Sequence, residues 1–236
     1  MNDIKTNIDP FAQLKKNNVS AANQLKETPL VSFLNLNDNG LRVMFIGNSI
    51  TFHSKLESIG WNIDCGMAAS APEKDYVHLI MSKINATRPD TAYCVCQVAE
   101  WERQYKDGEN VLNLFENAQK FNSDIIVMRA IENCPAEDFD EELFERQVKT
   151  LLDFLNPSGN AKIIITTSFW KHPGDNSLIE LANKNNFGLV KLGDLGEDDK
   201  MKAIGMFEHS GVANHPGDLG MENIANRIFE KIKDLI

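Results

Sequence analysis

Val43-Met44-Phe45-Ile46 runs into Gly47-Asn48-Ser49-Ile50-Thr51, an uninterrupted apolar segment that halts at a glycine and gives way to polar residues. A strand with one wet face would alternate apolar and polar residues, so a continuous run of this length predicts a strand covered on both faces. Residues 42–46 are the first of five such runs, followed by 93–98, 124–129, 162–167 and 188–192. Between them, residues 75–84, 111–121, 139–154 and 177–185 space their apolar side chains as helices do. Residues 219–236 close the chain with a stripe of Ile224, Ile228, Phe229 and Ile232. Each crossover between parallel strands lays its helix on one face of the sheet. The expected fold is therefore α/β, a three-layer α/β/α sandwich with a parallel five-stranded sheet.

With 236 residues the chain suits one such domain. Residues 41–236 are read as the domain and residues 1–40 as an N-terminal lead-in segment. In the lead-in Phe11, Leu14, Ala21, Leu25 and Leu30 are scattered among polar residues, consistent with one helix packed on the domain. Asn37-Asp38-Asn39-Gly40 is a turn cluster that delivers the chain to the first strand. The formal net charge of −10, with no basic stripe, argues against nucleic acid or an anionic membrane as partner. Residues 1–10 lack an apolar signal core and there is no apolar run long enough to span a bilayer, so the expected location is cytoplasmic. Cys65, Cys94, Cys96 and Cys134 lie in or beside apolar segments, as buried reduced thiols do. Their spacing offers no zinc ligand set, and no metal or organic cofactor is expected.

Two short segments hold the candidate chemistry. Ser49 sits just past the carboxyl end of the first core strand, where open parallel sheets bind ligands. It is either a nucleophile or the cap of the next helix. His215, in Gly211-Val212-Ala213-Asn214-His215-Pro216-Gly217-Asp218, stands in a loop before the closing helix, from which an imidazole could take the proton of Ser49. A solvated loop histidine is the alternative. Arg129 and Glu132 are spaced to form an ion pair beneath such a site. His53 could face the same cleft or serve as a surface or capping residue. Trp61, Trp101 and Trp170 are read as core or rim residues, with stacking on a sugar ring as the other possibility.

Gly47-Asn48-Ser49-Ile50-Thr51 and His215-Pro216 together resemble the first and last blocks of the SGNH/GDSL hydrolases, a family of serine esterases, and the resemblance covers roughly residues 41–236. It implies a flavodoxin-like SGNH hydrolase fold in which Ser49 is the nucleophile and His215 its general base. Gly66, in Asp64-Cys65-Gly66-Met67-Ala68-Ala69-Ser70, is similar to the second-block glycine, and Asn133 to the third-block asparagine. The implied oxyanion hole is the Ser49 N–H, the Gly66 N–H and the Asn133 side-chain amide. Neutral donors of this kind stabilise the charge of a tetrahedral intermediate. Ser70-Ala71-Pro72-Glu73 reads as a capping box that would set the Gly66 loop near the positive end of a helix.

Two positions depart from the family pattern. The aspartate usually found three residues before the histidine is replaced by Val212, and the third-block glycine by Ile131. Glu208 is the first choice for the missing acid, Asp218 the second, and a backbone carbonyl serving a Ser–His dyad the third. The resemblance extends to a bacterial subgroup associated with removal of O-acetyl groups from carbohydrates. It implies a small-molecule or carbohydrate ester as substrate, with acetyl as the acyl group. A medium-chain acyl ester or thioester hydrolase is the alternative. In a different class stands a catalytically silent carbohydrate-binding domain on the same scaffold, for which Val212 is the main argument.

Overall fold

The computed structural model describes residues 25–37 and 39–236. Residues 1–24 of the lead-in segment, the larger part of the stretch in which one helix is expected, lie outside the described residues. Among the described residues the sheet has six strands: β1 (Val31–Leu34), β2 (Arg42–Gly47), β3 (Ala92–Gln97), β4 (Ile125–Arg129), β5 (Lys162–Thr166) and β6 (Gly188–Val190). Their spatial order is β1-β3-β2-β4-β5-β6. Strands β2 to β6 are the five expected strands and pair in parallel.

The sixth strand corrects the sequence reading. Strand β1 falls inside the segment taken as a lead-in and joins the sheet antiparallel to β3, with Val31 opposite Cys96 and Leu34 opposite Tyr93. Val31 and Phe33 are buried while Ser32 and Leu34 are half-buried, the alternation of an edge strand. The folded unit thus starts before residue 41. The turn cluster forms as expected, with Asn37 Oδ1 accepting from the N–H groups of Asn39 and Gly40.

Among the described residues seven α-helices surround the sheet: α1 (Tyr76–Asn85), α2 (Ala99–Arg103), α3 (Glu116–Phe121), α4 (Glu141–Leu155), α5 (Asp175–Asn185), α6 (Ser210–Ala213) and α7 (Asp218–Ile232). Residues 111–121, read as one helix, divide between the end of a 3-10 segment, Tyr105–Phe115, and α3. Successive strand residues point to opposite faces and so build two cores. Val43, Phe45, Val95 and Val127 pack with Tyr76 and Ile80 of α1 and Ile224 and Ile228 of α7. Met44, Ile46, Cys94, Cys96 and Met128 pack with Trp101, Phe121, Phe144, Leu151 and Leu178 from α2 to α5. These are the three layers of the expected sandwich. No helix among the described residues is long and apolar enough to cross a membrane.

The order places β2 between β3 and β4, and the chain leaves β2 first to one side and then to the other. That reversal opens a crevice at the carboxyl ends of these strands, where ligands of open α/β sheets bind.

Candidate active site

The crevice gathers residues that follow four strands: Asn48 and Ser49 after β2, Glu102 after β3, Glu132 and Asn133 after β4, and Phe169 and Trp170 after β5. Gly47 is required at the end of β2, because a Cβ there would stand 1.9 Å from Thr51 Oγ1 and 2.7 Å from the Arg129 carbonyl oxygen. The chain therefore turns hard against β4 and lifts Ser49 out of the sheet, and the N–H groups of Thr51 and Phe52 close the turn on the Asn48 carbonyl.

His215 Nε2 lies 2.8 Å from Ser49 Oγ, and His215 Nδ1 lies 2.7 Å from the Gly211 carbonyl oxygen. A carbonyl can only accept, so Nδ1 carries the proton and Nε2 presents its lone pair to the serine hydroxyl. The loop is braced from outside: Ala203 N–H donates to the His215 carbonyl and Gly217 N–H to that of Met201. The half-buried imidazole has its pKa lowered to about 4 by burial, against the hydrogen bond to Gly211 and with the Arg129 charge adding to the lowering. It is neutral, and so competent as a base, throughout the physiological range.

The expected carboxylates do not reach this histidine. Glu208 is exposed, in a surface groove with Glu57, Ser58, Phe207 and His209. Asp218 accepts from the Ser70 N–H at 2.8 Å and the Ser70 hydroxyl at 2.6 Å. That contact also displaces the expected capping box: α1 is capped by Asp75, which accepts from His78 N–H. Val212, at the usual aspartate position, is fully buried in the core because α6 turns its side chain inward.

Gly66 is near Ser49, but its N–H donates to Asp75 Oδ2 at 3.0 Å and does not face the crevice free. Its lack of a side chain answers to packing instead, since a Cβ would meet the Ile50 carbonyl oxygen at 2.5 Å. Met67 N–H donates to the Ser49 carbonyl, Ala69 N–H to that of Gly66 and Ser70 N–H to Asp218. Between residues 66 and 70 this leaves the Ala68 N–H with no acceptor among the described residues. Ala68 is buried and has a positive φ of 74°, a left-handed conformation costly for a residue with a Cβ. The Ser49 N–H likewise finds no acceptor among the described residues. Asn133 directs one Nδ2 hydrogen to Glu102 Oε2 at 2.6 Å, which leaves its second for another acceptor.

No protein-family model matches the chain, and no curated protein matches it in sequence. Solved structures do. A two-domain esterase active on acetylated mannans, co-crystallised with mannopentaose, superposes with a TM-score of 0.54 and 15% identity, over 83% of this chain and 50% of that one. The chain thus spans about half the length of that esterase. The psychrotrophic esterase EstA from Pseudoalteromonas sp., inhibited by monoethylphosphonate, superposes with a TM-score of 0.52 and 13% identity, over 82% of this chain and 97% of that one. The chain has the fold of these esterases.

Beneath the crevice of this esterase fold lies a buried polar cluster, of which sequence reading anticipated only the Arg129–Glu132 ion pair. Arg129, fully buried, donates to Glu132 and to Asn48 Oδ1. Asn48 Nδ2 donates to Glu132 Oε2 at 2.7 Å and to Glu102 Oε1 at 2.9 Å. Burial pushes the Glu132 carboxyl up, but Arg129 and the donors on its oxygens outweigh this and hold it below the usual carboxylate range. Glu102 moves the other way, raised by burial and by the neighbouring Glu132 charge. Its burial had no local signal in the sequence, because the residues that satisfy it, Asn48 and Asn133, lie far away in the chain.

Of the tryptophans, Trp61 and Trp101 are core residues. Trp170 is half-buried at the rim, its ring edge-to-face with His215 at 5.0 Å and its Nε1 donating to the Asn214 carbonyl at 3.2 Å. His53 is half-buried, its Nδ1 set 2.6 Å from the Ser54 carbonyl oxygen.

Proposed function

We propose that this protein is a serine esterase that works through an acyl-enzyme, with a small acyl group, acetyl first, on a carbohydrate or related metabolite as its substrate. The observation that carries the reading is the 2.8 Å contact between Ser49 Oγ and His215 Nε2 at the mouth of the sheet. His215 takes the hydroxyl proton as Ser49 attacks the ester carbonyl, then returns it to the leaving alcohol. The oxyanion is received by the Ser49 N–H and the second Nδ2 hydrogen of Asn133. The Ala68 N–H, next in the chain to the amide that bonds the Ser49 carbonyl, is the candidate third donor in place of Gly66. Water, activated by the same imidazole, then releases the acid.

The acetyl-carbohydrate preference draws support from the mannan-active esterase of the same fold and from Trp170, whose indole stands beside His215 as a platform of the kind sugars stack on. A longer acyl chain is the second reading. It is favoured by a hollow of about 220 Å³ next to the histidine loop, whose lining includes the apolar Ala68, Ala203, Met206, Phe207 and Leu219 beside Ser70, Lys200, Lys202 and Asp218.

The test is hydrolysis of p-nitrophenyl esters from acetate to octanoate beside labelling by a fluorophosphonate. Ser49→Ala is expected to abolish both while the fold persists. A rate maximum at acetate supports the deacetylase, and a maximum at longer chains the second reading. Neither turnover nor labelling in the wild type would overturn the esterase reading in favour of a silent binding domain.

A further inference from the structure

The proposed mechanism leaves the buried carboxylate of Glu102 without a task. Glu102 in α2 is fully buried, and three donors converge on it. Asn48 Nδ2 (2.9 Å) and the Ile131 N–H bond to Oε1, and Asn133 Nδ2 (2.6 Å) bonds to Oε2. Asn48 precedes the nucleophile, and Asn133 bears an oxyanion donor. One carboxylate therefore grips the side-chain amides of both residues.

The charge inventory singles Glu102 out. Among the buried charged groups here, Arg129 donates to Glu132 and Asn48, so Glu102 has no hydrogen-bonded cation of its own. A buried carboxylate without a direct cation is costly unless donors satisfy it. A neutral glutamine could accept from Asn48 and Ile131 with one oxygen, but it would turn an NH2 group toward Asn133. What only the carboxylate supplies is a second acceptor, Oε2, and that oxygen fixes which way the Asn133 amide faces. With Nδ2 on Glu102, one hydrogen is spent there and the other is left for the crevice. With the amide reversed, Oδ1 would oppose both Glu102 and any oxyanion.

We propose that Glu102 is a positioning residue, which holds the Asn133 side chain in the one amide orientation that directs a hydrogen at the oxyanion. The proposal rests on the esterase reading. Glu102 touches no reacting atom and acts through Asn133, so its effect belongs to the transition state, where the oxyanion exists, and not to substrate binding.

The experiment is a double-mutant cycle with p-nitrophenyl acetate on wild type, Glu102→Gln, Asn133→Ala and the double variant, each checked by thermal melting. Glu102→Gln is expected to lower kcat about tenfold or more with KM within about twofold, since a misdirected oxyanion donor loses most of its effect. In the Asn133→Ala background the same change is expected to cost less than about twofold, because the residue it acts through is gone. An unchanged kcat in Glu102→Gln, or an equal loss in both backgrounds, would overturn the proposal. If Glu102→Gln does not fold, the crystal structure of the wild type phosphonylated at Ser49 decides. Asn133 Nδ2 within hydrogen-bond distance of both Glu102 and the phosphonyl oxygen is the expected result, and an Asn133 turned away from either overturns it. A wild type inert to every ester overturns the esterase reading itself. An active wild type indifferent to Glu102→Gln overturns this inference alone.

Discussion

His215 Nδ1 donates to the carbonyl oxygen of Gly211, 2.7 Å away and four residues earlier in the chain. The contact has a local cause. The one-turn helix α6 ends before Pro216, and the His215 N–H bonds to the Val212 carbonyl instead of continuing the helical ladder to Gly211. The last carbonyls of a helix lack backbone partners, and the imidazole takes one of them. A neutral carbonyl orients the ring and fixes its tautomer, but it stabilises an imidazolium less than a carboxylate would.

The first consequence is a displaced acid limb. Since the His215 pKa is lowered to about 4 and the proposed base is the neutral ring, kcat/KM should rise with pH through that region and be level near neutrality. A pH profile of p-nitrophenyl acetate hydrolysis checks it. A limb at the ordinary 6.5 or above would mean that a carboxylate stabilises the imidazolium after all.

Glu208→Gln should leave the rate within about twofold, because an exposed side chain outside the crevice neither orients nor charges the imidazole. A tenfold loss of acylation rate in stopped-flow measurement would return Glu208 to the mechanism.

Placing an aspartate at position 212 should fail. Val212 has no exposed surface, so Val212→Asp would bury a carboxylate among apolar groups and cost several kcal/mol, of order 3 or more. In a chain of this size that lowers Tm by roughly 6–12 °C, readable by calorimetry, with no gain in rate.

Gly66→Ala tests packing in the same loop. The added methyl would meet the Ile50 carbonyl oxygen, so a loss of about 1–3 kcal/mol is expected in denaturant unfolding, together with lower activity as Ser49 shifts. Full stability in this variant would show that the loop is free to move.

How much of this was legible in the residues differs by element. The five parallel strands announced themselves because strands covered on both faces must be apolar throughout. Ser49 and His215 stood beside glycine and proline at strand and helix ends, and the fold brings them into contact. Strand β1 was hidden because four residues with two pointing outward, Val-Ser-Phe-Leu, resemble any mixed segment. Glu102 was hidden for a stronger reason: its burial depends on Asn48 and Asn133, 54 and 31 residues away, and nothing local marks a carboxylate destined for the interior. The Gly66 N–H likewise looked free until Asp75, nine residues on, was seen to take it.

Strand β1 carries a prediction of its own. Removing residues before 41 would strip Val31 and Phe33 from the core and leave the edge of β3 unpaired. A chain beginning at residue 41 should therefore elute as aggregate in size-exclusion chromatography, because an open edge invites pairing with another chain. A stable monomer would show that β3 tolerates solvent.

The four cysteines, unpaired and buried, are divided between the two sides of the sheet: Cys65 beside α1 and α7, and Cys94, Cys96 and Cys134 beneath the opposite helices. Burial also pushes each thiol upward in pKa, so neither access nor ionisation favours attack by an alkylating reagent. The chain thus carries an internal clock for its own opening. The order in which Cys65 and the other three become alkylated would report which side of the sheet parts first.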